Sequence, residues 1–136
     1  MHVLIHFIIN LFFGFVLGFK NIDILIIALA GIIIDIDHIF YQIFVVKNKT
    51  IKQMLEWHKK ENAVHRPHFY IFHMIDFLII FSIISFYVNR TLFLISLGFI
   101  LHVLADFVMY IFHYKSFKWI KYFFLVNYIR KKVNFS

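Results

Sequence analysis

The stretch GIIIDIDHIF, Gly31 to Phe40, sets two aspartates and a histidine inside a run of isoleucines. The apolar run around it extends from roughly Ile24 to Val46, and a helix needs ~20 residues to cross a bilayer. An ionisable side chain within a span costs on the order of 2.5–3.5 kcal/mol on insertion scales. Asp35, Asp37 and His38 therefore require partners elsewhere in the chain, and the rest of the sequence is read for them.

Three further apolar segments flank this one: roughly Val3 to Phe19, Phe69 to Val88 and Thr91 to Phe112. The turns at Lys20–Asp23 and Asn89–Arg90 are short, so the segments form two antiparallel hairpins. Of the 136 residues 62% are apolar, 20 are Phe, and the mean hydropathy is +0.84. A soluble domain of this size leaves roughly a third of its unfolded surface wet and cannot hide so much apolar area. One proline and four glycines argue for long helices rather than many-turned sheets. The expected fold is thus all-α: a polytopic membrane protein with about four transmembrane helices in residues 1–113. A polar loop at 47–66 joins the hairpins. The basic, aromatic stretch 114–136 reads as an interfacial helix on the membrane surface. The absence of cysteine excludes disulfides and thiolate metal sites.

The formal charge of +7 follows the same plan. With four spans, the loop and tail share one side, which holds Lys47, Lys49, Lys52, Lys59, Lys60, Arg66, Lys115, Lys118, Lys121, Arg130, Lys131 and Lys132. The other side holds Lys20 and Arg90. The positive-inside rule then predicts an inner (cell) membrane protein with both termini cytoplasmic. Its expected partners are membrane lipids, whose anionic headgroups account for the basic residues, and nucleic acid is not expected.

The remaining ionisable residues gather at one depth. His2 and His6 stand at the start of the first segment, and His65, His68 and His73 lead into the third, which also carries Asp76. His102, Asp106 and His113 follow in the fourth. On a helix His102, Asp106 and His113 project within ~40° of one another. His102 and Asp106, four apart, can approach one cation together. Asp35 and His38, three apart, share a face, whereas Asp37 points away by ~100° or more. It either binds a second metal or orients a histidine from behind. Single histidines such as His2, His58 and His113 are more often hydrogen-bonded structure than ligands, and Asp76 can be a helix–helix hydrogen-bonding group. Asp35, His38, His102 and Asp106 as a set call for a divalent cation. Zn, Mn or Fe suits imidazole with carboxylate, and Mg suits the carboxylates.

Taken in order, Gly31-x-x-x-Asp35-Ile36-Asp37-His38, His65-Arg66 and His102-x-x-x-Asp106 make the chain similar to the YdjM-like family of predicted membrane-bound metal-dependent hydrolases. Ile34 stands where that family has proline, Pro67 where it has glycine, and Met109 at a usual threonine. The resemblance implies a metal site of His6, Asp35, His38, His65, His102 and Asp106, with His68 or His73 as a further ligand. The expected activity is metal-assisted hydrolysis of a lipid or headgroup ester, a phosphoester foremost, with one or two cations activating water. Asp37 or a spare histidine would act as base and Arg66 would bind phosphate. Two rivals use the same residues: a metal or proton transporter, and a non-catalytic scaffold stapled by metal.

Overall fold

A computed structural model of the chain describes residues 3–47, 50–54, 56, 70–114 and 124. The elements are α1 (Val3–Val16), α2 (Ile22–Ile33), α3 (Ile36–Phe44), a 3-10 turn (Ile71–His73), α4 (Ile75–Val88) and α5 (Arg90–Tyr114). Among the described residues there is no strand, so the all-α expectation holds.

Each helix ends for a local reason. Past α1, Gly18 takes φ +82. Its N–H donates to Phe15 O (3.0 Å), and that of Phe19 donates to Gly14 O (3.1 Å). This is the paired closure in which glycine avoids the Cβ penalty of the left-handed region. Between α2 and α3 the chain tightens without leaving helical backbone: Asp35 N–H bonds Ile32 O and His38 N–H bonds Asp35 O. Three-residue closures of this kind mark a hinge in an otherwise regular helix. Before α4, Met74 is extended (φ −79, ψ 126), so the helix starts at Ile75 rather than near Phe69.

These boundaries bear on the spans. Ile22–Phe44 and Arg90–Phe112, 23 residues each, are long and apolar enough to cross a membrane. The helices α1 and α4 have 14 residues each. They are ~21 Å long, short of a ~30 Å hydrocarbon layer. Among the described residues two helices are thus of spanning length. The segments beyond them are ended by Gly18 and by the extended Met74.

The helix α2 is central, packed against α1 and α5, and α5 also meets α1 and α4. Arg90 Nη2 lies 2.5 Å from Asp23 Oδ2, which brings the starts of α2 and α5 to one end of the bundle. The two helices run parallel. Their seam is made of small residues. A Cβ on Gly98 would meet Ala30 Cβ at 2.7 Å and the carbonyl oxygen of Ile27. Asn10 from α1 fastens the same place, with Nδ2 donating to Ile27 O (3.2 Å) and Gly98 O (3.1 Å). On either side of the seam lie two apolar clusters. Ala30, Ile34, Leu78, Phe99 and Val103 form one, and Ile27, Leu94 and Leu101 the other. The outside of the bundle is apolar too, with Phe12, Phe15, Phe44, Phe86 and Phe112 all exposed.

Gly98→Ala forces backbone against backbone, so it should lower stability by about 1–3 kcal/mol. Thermal unfolding of the detergent-solubilised chain checks this, and an unchanged midpoint would refute the close seam.

Candidate metal centre

Five stretches of the chain bring six of the expected residues together. His6 comes from α1, Asp35 from the tightened turn after α2, and His38 from α3. His73 comes from the 3-10 turn, and His102 and Asp106 from α5. In one group His6 Nε2 lies 3.2 Å from Asp106 Oδ1, and His102 Nε2 lies 3.4 Å from Asp106 Oδ2. The His6 and His102 rings stack at 3.6 Å, so both present Nε2 to the same carboxylate. In the other group Asp35 Oδ1 lies 3.6 Å from His38 Nε2 and 3.7 Å from His73 Nε2. The groups meet where His102 Nε2 stands 3.4 Å from Asp35 Oδ1.

The tautomers follow from the outer contacts. His102 Nδ1 is 2.5 Å from the carbonyl oxygen of Gly31, an atom that only accepts, so Nδ1 carries the proton and donates. His73 Nδ1–H donates likewise to Asp37 Oδ2 at 3.0 Å, and the Phe72 N–H donates to that same oxygen at 3.2 Å. With Nδ1 protonated, a neutral ring turns its Nε2 lone pair inward. Both His102 Nε2 and His73 Nε2 are buried without a hydrogen-bond partner among the described residues, although each faces a carboxylate. A lone pair against an anion is repulsive in a low-dielectric interior unless a proton or a metal cation stands between them. Two ligands on a tetrahedral cation at ~2.0–2.1 Å stand ~3.4 Å apart. The 3.2 and 3.4 Å separations match that edge. The residues present thus fit a divalent cation, with a carbonyl and a carboxylate orienting the imidazoles from behind.

Of the roles open to Asp37, as second-metal ligand, general base or orienting group, orienting a histidine is the one its contacts serve. His73 joins the cluster, and His68, His65 and Arg66 lie outside the described residues, as does the side chain of His113. Three contributors were not singled out in the sequence. The Gly31 carbonyl sets the His102 tautomer, and no side-chain pattern could signal it. The Tyr70 ring lies 3.8 Å from that of His38. Asn10 is the lone amide in the first apolar segment, a signal that was legible.

If Asp37 orients His73, Asp37→Ala should weaken Mn²⁺ binding by ~10–100-fold while leaving the helical circular dichroism intact. Calorimetric titration reads this directly, and unaltered affinity would remove Asp37 from the centre.

The chain matches no family model, no curated protein and no solved structure.

Proposed function

We propose that the chain is a multi-pass membrane hydrolase that uses a divalent cation to cleave a phosphoester of a lipid or headgroup at the cytoplasmic leaflet. The observation that carries this is the buried Nε2 of His102, turned by Gly31 O toward Asp35 Oδ1 and Asp106 Oδ2, each 3.4 Å away. The resemblance to the YdjM-like metal-dependent hydrolases points the same way.

Membrane embedding is supported by the two 23-residue apolar helices, of which only a third is buried inside the bundle. A core helix of a soluble protein would be mostly covered, and an apolar outside suits lipid. In the proposed arrangement α1 and α4 cross as well, each completed by flanking apolar residues. His73 and Met74, in the irregular stretch before α4, are buried, as non-helical backbone at membrane depth must be. The Asp23–Arg90 end then faces outward and the His/Asp centre lies in the cytoplasmic half.

His6, His102 and Asp106, with Asp35, would hold the cation. When bound, it would lower the pKa of a coordinated water and polarise the ester. Asp35 and Asp106, partly exposed, line the approach, while Asp37 and Gly31 O keep the imidazoles turned inward. Arg66, the last residue of the polar loop, would bind the phosphate in a two-pronged manner.

Phosphate release from phosphatidic acid in mixed micelles, with Mn²⁺ present, tests the reading. His102→Ala should lower turnover by ~100-fold or more, since the metal contributes several kcal/mol to the transition state. Turnover that survives chelation and His102→Ala would end the proposal.

A further inference from the structure

We infer that the centre holds two divalent cations, not one, with Asp35 as the carboxylate shared between them. This rests on the metal-site reading above and specifies it. The six side chains fall into two groups, His6–His102–Asp106 and Asp35–His38–His73, each with its three ligand atoms within 4.8 Å of one another. Ligands on a single cation at ~2.0–2.2 Å stand no more than ~4.4 Å apart even when opposite. The carboxylate–imidazole separations, 3.2 and 3.4 Å in the first triad and 3.6 and 3.7 Å in the second, fall inside that limit, so each triad is sized for one ion.

A second observation supports each triad separately. Both contain a buried imidazole whose Nδ1 is committed elsewhere and whose Nε2 has no hydrogen-bond partner among the described residues. In the first it is His102, turned by Gly31 O, and in the second His73, turned by Asp37. Their side chains are 0% and 8% exposed. An imidazole nitrogen has one lone pair and serves one cation. The His73 and His102 rings meet edge-on, 5.2 Å apart, as ligands of neighbouring ions would.

Asp35 alone belongs to both. It is a member of the second triad, yet its Oδ1 is 3.4 Å from His102 Nε2, the same separation that links His102 to Asp106. A carboxylate has two oxygens and lone pairs enough to bridge, which an imidazole lacks. The tightened turn at Ile34–Asp35 gives this residue its position, since it lies where α2 hands over to α3 between the two triads. Paired cations ~3.5–4 Å apart clamp the attacking and leaving oxygens of an in-line displacement, which suits a phosphoester bridging both.

The test counts metal. Full-length chain in detergent, stripped with chelator, is titrated with MnCl₂, desalted and analysed for manganese. Wild type should retain two ions per chain, with an electron paramagnetic resonance spectrum of a spin-coupled pair. His38→Ala and His73→Ala should each retain one, with an uncoupled spectrum, and Asp35→Asn should abolish coupling. His38 is about a quarter exposed, so its variant keeps the test alive if His73→Ala does not fold. One ion in wild type, unchanged in His38→Ala, overturns the pair but leaves a single-cation hydrolase standing. Two ions in both wild type and His38→Ala overturn the assignment of the second triad. No manganese in wild type overturns this inference and the metal reading together.

Discussion

Three imidazole nitrogens, of His38, His73 and His102, stand 3.4–3.7 Å from a single carboxylate oxygen of Asp35. They come from three different elements, and Asp35 sits where α2 tightens before α3. The arrangement is costly by itself, because the buried Nε2 atoms of His73 and His102 lose their hydration and face an anion. It becomes favourable only when positive charge enters among the lone pairs. The rest of the bundle can be understood as the scaffold that keeps these groups at that spacing.

The scaffold acts through register. Gly31 and Gly98 precede Asp35 and His102 by four residues, one helical turn, so each glycine shares a face with the site residue that follows it. A Cβ on Gly31 would collide with the Asn10 amide, and one on Gly98 with the Ile27 carbonyl. The close seam that needs these glycines also lets Gly31 O accept from His102. Asn10, donating across the seam to Ile27 and Gly98, sits one turn from His6 on α1. Packing at the seam and orientation at the centre are thus set by the same approach of α1, α2 and α5.

Much of this was legible in the sequence. Ionisable residues in apolar segments demanded mutual partners, and spacing put His102 with Asp106 and Asp35 with His38. The side of Asp37 followed from its angle on the helix. What helical periodicity could not supply was the break before α4. The residues Ile71, Phe72 and Met74 are as apolar as the helix they precede, and the extended Met74 carries no proline or glycine to announce it. That break turns His73 inward. The interruption at Ile34–Asp35 is equally silent, since isoleucine and aspartate continue the helical backbone there. The length of α1 was the one miscount with a visible cause, because Gly18 stands where the helix stops.

Exposure within the cluster separates holding from access. His6, His73 and His102 are buried, whereas Asp35, His38 and Asp106 are 27%, 26% and 16% exposed. The centre is therefore closed behind its imidazoles and open along its carboxylates. Away from it, towards the Asp23–Arg90 end, the seam is filled by Ile27, Leu94 and Leu101. Within that layer Ser96 Oγ is spent on Phe93 O, and at its far end Arg90 pairs with Asp23. A conduit would need ionisable or wet groups continuing through that layer, as proton and ion paths do. Among the described residues its buried polar groups are the Asn10 amide and the Ser85 and Ser96 hydroxyls, and none of these ionises. Among the described residues, a site exposed along its carboxylates above a packed floor is what the proposed chemistry at the centre requires.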